Sequence, residues 1–181
     1  LTYWLGAWAI RLAPAGFDAD LAARLPFMGL LVLTLSASWW SVYHLARRPQ
    51  AQPVAFAFGG EANPVDYARA MADGGLLALI ACLGLAQLSH ETTPALTQLA
   101  GTSLTFYGLA AWPQRRLWPA ISLVAGLLAL GLGGAPTLAV LFALGGAVAL
   151  LIDREPRNDF ASARTPRGRP TASGGLAGLA L

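Results

Sequence analysis

Long apolar runs alternate with short polar or Pro-rich links along this chain, and the lengths of the runs match the thickness of a bilayer. A hydrocarbon core about 30 Å thick needs about 20 mostly apolar residues in helical form. The run LPFMGLLVLTLSASWWSVYHLA, at 25–46, is opened by Pro26, where a helix start tolerates proline, and closed by Arg47-Arg48-Pro49. GGLLALIACLGLAQLS is shorter and reaches spanning length if its helix starts near Tyr67 or Arg69, giving a span near 69–89. Three further runs, at 94–112, 117–134 and 136–152, each carry a proline near their start. The pattern therefore predicts an all-α, polytopic transmembrane bundle of about five spans across 18–152.

Three segments do not fit a span. In LTYWLGAWAIRLAPAGF, at 1–17, Trp4, Trp8 and Arg11 recur at helical spacing, which predicts an amphipathic helix lying in the membrane interface. Residues 48–66 carry several prolines and a Gly-Gly pair and read as a long cytoplasmic loop. Residues 153–175 are polar, basic and Pro-rich, a flexible cytoplasmic segment whose arginines suit anionic headgroups. The closing GGLAGLAL, with 176–181 at its end, reads as the start of a further span. The start shows no initiator Met, basic n-region or cleavage site, so the chain reads as an internal piece of a longer protein.

Composition agrees with this pattern. Of 181 residues, 56 % are hydrophobic and only 12 % charged, against about 25 % charged in an ordinary soluble domain. All 12 basic residues are arginines, set against 9 acids, and the net charge of +3 is too small to suggest nucleic acid. The arginines instead set orientation. With the first span running inward, the turns at Arg47, Arg115 and Arg154 share one side and Arg11 and Arg24 take the other, so positive-inside bias makes the first side cytoplasmic. Trp112 and Trp118 flank the Arg115-Arg116 link as interfacial anchors.

Few residues carry chemistry. The single Cys82 lies in an apolar run and reads as a small packing residue. No Cys/His cluster has metal-ligand spacing, and the glycines at 126, 131, 133, 134, 145 and 146 suit close helix approach rather than phosphate binding. His44 reads as an interfacial residue bonded locally, and Asp73 as an i,i+4 partner of Arg69 at the entrance of the second span. The polar island LSHETTPAL, at 88–96, is the exception. Glu91 beside His90 lies on the non-cytoplasmic side, and Thr92 or Thr93 is placed to cap the helix that follows. A carboxylate there can hold a metal, accept a proton from a sugar hydroxyl or contact a cationic amino sugar, with the histidine tuning its charge. A solvated turn accounts for the same residues, so both readings stand.

The Tyr3-Trp4-Leu5 and Ala23-Arg24-Leu25-Pro26 elements, joined at this separation and followed by a helix ending in a basic turn, resemble a segment of bacterial GT-C glycosyltransferases, the relatives of protein O-mannosyltransferases and lipid A aminoarabinose transferases. The resemblance is specific over the first 47 residues and topological beyond them. It implies a multi-pass enzyme of the bacterial inner membrane that moves a sugar from a polyprenyl-phosphate donor to a lipid or protein acceptor at the periplasmic face. On that basis Glu91 is the supporting catalytic acid, and His90, Arg24 and Tyr3 are substrate-binding residues. Arg24 reads equally as a snorkelling anchor. The family's main catalytic carboxylate would precede Leu1, so the piece alone would be inactive. Where relatives carry a Lys-Gly pair this chain reads Gly133-Gly134-Ala135-Pro136, without the phosphate-contacting lysine. No cofactor is identified, and a divalent cation stays open. A transporter or scaffold subunit, with glycines serving packing alone, is the competing reading.

Overall fold

A computed structural model describes residues 1–14, 16–53, 62–82 and 92–152. Among the described residues there are six α-helices, one 3-10 turn and no strand. The first helix, α1 (Thr2–Leu12), is shorter than the interfacial segment expected at 1–17. Pro14 ends it by holding Ala13 in extended backbone, at φ −67° and ψ 138°. The chain then closes a turn in which Phe17 N–H donates to the Pro14 carbonyl at 3.1 Å and Gly16 takes φ 98°.

Helix α2 (Ala19–Ala46) starts earlier than the apolar run suggests. Its start signal is Asp18, whose Oδ1 accepts from Asp20 N–H at 3.1 Å, so Pro26 lies inside the helix instead of opening it. Polar residues ahead of Leu25 are thereby absorbed into the same rod. At the other end Gln52 Nε2 donates to the Ala46 carbonyl at 2.6 Å, closing the turn at Pro49–Ala51 back onto the helix terminus. With 28 residues α2 is about 42 Å long, and it is the one helix among the described residues both long and apolar enough to cross a membrane.

Prolines open the next elements as the sequence indicates. Helix α3 (Pro64–Ile80) has Pro64 at its first position and Asn63 Oδ1 accepting from Val65 N–H at 2.9 Å. It therefore begins before Tyr67, and the later part of the span expected near 69–89 falls in 83–91, outside the described residues. Helices α4 (Pro94–Ala111), α5 (Leu117–Leu132) and α6 (Pro136–Ile152) follow, each ending one or two residues from its expected limit or on it. Of these, α5 and α6 are apolar but have only 16 and 17 residues. The segments at 153–175 and 176–181 lie outside the described residues.

The chain runs alternately up and down, so α2, α4 and α6 point one way and α3 and α5 the other. Central among them is α4, which packs against α2, α5 and α6, while α1 and α3 lie on α2. Its seam with α5 is built from small residues. Thr97, Gly101, Thr105 and Gly108 recur on one face and are all buried, facing Ser122, Gly126 and Leu130 of α5. A Cβ on Gly126 would meet the Gly101 carbonyl at 2.6 Å and Thr105 N at 2.7 Å, and would also strike the Thr105 hydroxyl. Across this seam Ser122 Oγ donates to the Leu104 carbonyl at 2.9 Å, and between α2 and α4 Ser38 Oγ donates to Ser103 Oγ at 3.3 Å. By contrast, a methyl group added at Gly131 or Gly145 would meet nothing within 4 Å, so close approach does not explain these two glycines.

Candidate functional site

The end of the bundle that holds the start of α2 also gathers the first residues of the chain, the start of α4 and the turn between α5 and α6. The hydroxyls of Thr2 and Thr97 share a hydrogen bond at 3.2 Å, which seats the start of α1 against the first turn of α4. Gln98 Nε2, one residue on, donates to the Gly133 carbonyl at 2.9 Å and ties the same turn to the link before α6. Gly134 completes that link at φ 89°, a conformation glycine adopts freely. Thr93 occupies the cap position of α4 with extended backbone, yet its side chain makes no capping bond, and its buried Oγ1 has no hydrogen-bond partner among the described residues. Of the two threonines expected to cap this helix, Thr93 therefore supplies no side-chain cap.

His90 and Glu91 lie outside the described residues. Tyr3 and Arg24 are described, and both are exposed, Tyr3 at 81 %. Tyr3 lines a shallow hollow of about 300 Å³ on α1 with Trp4, Trp8 and Arg11, and Arg24 takes no part in it. No described contact brings Tyr3 and Arg24 together. Among the described residues no group of His, Cys, Asp or Glu is arranged to hold a metal.

Two single-residue expectations are corrected. Arg69 pairs with Asp66 at 3.5 Å, not with Asp73. Asp73 instead accepts a hydrogen bond from Trp39 Nε1 at 2.8 Å, joining α3 to α2. An early start at Pro64 moves Asp73 more than two turns into α3, where the neighbouring helix supplies a better donor than the flexible arginine. Cys82 is exposed just past α3, so it packs into no core; its Sγ donates to the Ala78 carbonyl at 3.4 Å.

The opposite end carries a feature that the linear pattern did not single out. Where α2 ends and α4 passes into α5, a cleft of about 860 Å³ opens. Trp40, Tyr43 and Tyr107 give it an aromatic wall, and Arg47, Arg48 and Arg115 are among its lining residues. Among the described residues no carboxylate lines it. His44, expected to bond locally, is held across the bundle. Its Nδ1–H donates to Gln114 Oε1, and Gln114 Nε2 donates back to the His44 carbonyl at 3.3 Å. The imidazole lies against Trp40 and Tyr107, each with ring centroids 5.9 Å away, and the Arg47 guanidinium sits 5.7 Å over the Tyr43 ring. Trp40, Tyr43, His44 and Arg47 follow the i, i+3, i+4, i+7 spacing of one helix face, and that spacing was the available signal. Gln114, the one uncharged polar residue between Trp112 and Trp118, gave no hint of its partner.

Comparison with protein-family models, curated proteins and solved structures finds no match to this chain.

Proposed function

We propose that this chain is part of an integral membrane glycosyltransferase of GT-C type, threaded through the bacterial inner membrane in five passes, with the Arg47 and Arg115 turns cytoplasmic. Its reaction moves a sugar from a polyprenyl-phosphate donor to a lipid or protein acceptor on the periplasmic side. The observation that carries the reading is the seating of α1. Tyr3-Trp4 and Ala23-Arg24-Leu25-Pro26, the two elements of the resemblance, belong to one α1–α2 unit, and the Thr2–Thr97 bond fixes that unit beside the chain entering α4 just after Glu91. The first turn of α4 is thereby seated against α1, and we take this end as the place where a lipid-borne sugar and its acceptor meet. The exposed apolar flanks of α5 and α6, with Leu128, Leu141 and Leu144 58–64 % exposed, support a lipid setting. So does the exposed aromatic face of α1.

In this scheme Glu91 positions or deprotonates the acceptor, Arg24 contacts the donor phosphate, and His90 and Tyr3 complete the substrate contacts. The test is sugar transfer by the full-length protein in native membranes, with the Glu91→Gln variant measured beside it at matched abundance. Reduced transfer supports the assignment; unchanged transfer removes Glu91 from the site. Absence of sugar transfer by the unaltered protein would favour the scaffold or transporter reading, which the α4–α5 glycine seam suits equally well.

A further inference from the structure

From the cleft between the end of α2 and the α4–α5 link we infer a binding site for a phosphate-bearing anion, specifically the headgroup of an anionic glycerophospholipid in the leaflet this end faces. The inference rests on the membrane reading above for the lipid's presence, but on the cleft alone for its chemistry. Every charged side chain in the lining is an arginine, and planar guanidinium groups with several fixed donors match phosphate oxygens. Arg47 and Arg115 are exposed and reach the cleft from different segments, so they can close on an anion from two directions. Among the described residues no carboxylate pairs with either.

The rest of the lining is amphiphilic in the way an amphiphile requires. Trp40 and Trp118 are 47 % and 63 % exposed, and line the cleft where glycerol and the first acyl carbons would lie. Free phosphate has no use for those surfaces. At about 860 Å³ the space exceeds what a bare anion fills and suits a headgroup with its glycerol. Beneath it, the reciprocal bonds between His44 and Gln114 hold the floor, so the cleft is organised before a ligand arrives. The site lies at the opposite end of the bundle from Thr93 and Arg24, and is therefore separate from the proposed transfer site.

The experiment uses the full-length protein, stripped of lipid in detergent and titrated with dioleoyl-phosphatidylglycerol or dioleoyl-phosphatidylcholine, bound lipid being counted by native mass spectrometry. Phosphatidylglycerol is expected to bind in preference, and the Arg47→Gln/Arg115→Gln double variant to bind it roughly ten- to thirtyfold more weakly, from about a tenfold to thirtyfold electrostatic contribution of two interfacial arginines. The Arg47→Lys/Arg115→Lys variant keeps the charge and is expected to fall between. Arg11→Gln/Arg69→Gln removes as much charge outside the cleft and is expected to bind as wild type. Equal binding of both lipids, or equal losses in the two Gln double variants, would overturn the inference. Full displacement by millimolar inorganic phosphate would also overturn it, making the free anion the ligand. Alkaline extraction of native membranes separates this outcome from the reading it rests on: a protein that resists extraction but ignores phosphatidylglycerol defeats the headgroup site alone, whereas one released into solution defeats the membrane reading.

Discussion

Substituting Gly126 tests the helix seam that holds this bundle together. The Gly126→Ala change adds one methyl group, whose carbon would stand 2.6 Å from the Gly101 carbonyl oxygen and 2.7 Å from Thr105 N, separations that real Cβ atoms essentially never show. Both obstacles are backbone, so no rotamer change relieves them. Helices α4 and α5 must part by several tenths of an ångström, and such overpacking costs about 1–3 kcal/mol. Alanine also gains about 0.5–1 kcal/mol over glycine in helix propensity, which would mask part of the cost. Gly131→Ala, in the same helix, removes that ambiguity, because it carries the same propensity gain and its methyl meets nothing within 4 Å. The difference between the two variants isolates the steric cost. For a chain of this size it corresponds to a separation of roughly 2–12 °C in melting temperature. Thermal survival of the full-length protein in detergent, read as the folded peak in size-exclusion chromatography, measures it. Should the two variants melt together, the seam is looser than described and the packing argument fails.

Two further outcomes follow from side-chain bonds between helices. Gln114→Ala removes both bonds to His44 and leaves the imidazole N–H without its acceptor, so stability should fall by about 1–3 kcal/mol; unaltered melting would show that the α2 terminus is not clamped there. Trp39→Phe and Asp73→Ala should each cost about 1 kcal/mol, and the double variant less than the sum, since the two share one bond. Strict additivity in that cycle would mean that Trp39 and Asp73 do not interact.

The helices were legible because their signals are local. Pro64, Pro94 and Pro136 each occupy a first helical position, and mostly apolar sequence follows Pro94 and Pro136 directly. The apolar run misplaces the start of α2 because two start signals compete there. Pro26 begins the apolar run, but the carboxylate of Asp18 actually satisfies a free backbone N–H, and the hydrogen bond outweighs the hydrophobic edge. What crosses between helices was not legible. The i,i+4 rule sees partners on one helix, so it joined Asp73 to Arg69, while the residue that reaches Asp73 lies 34 positions away. Gln114 and His44 are 70 apart and equally hidden. Gly101 and Gly108 are easily passed over beside the more conspicuous Gly-Gly pairs. Yet with Thr97 and Thr105 they mark a continuous face of small residues, and that spacing is readable once a partner helix is supposed. Of the proposed site, only Tyr3 and Arg24 fall among the described residues, and their exposure leaves room for substrate without fixing its position.

Pro26 gives α2 a mechanical property. Lacking an N–H, it leaves the Ala22 carbonyl without its rung in the helical ladder, and a rod bends most cheaply where a rung is already missing. The stretch Ala19–Leu25 is continuous with the turn from α1, whereas the stretch beyond Pro26 is bolted to α4 through Ser38 and Ser103. A push on the outward aromatic face of α1 strong enough to part Thr2 from Thr97 would therefore be taken up as a tilt at Pro26, before it could disturb the Trp40–Arg47 face at the far end.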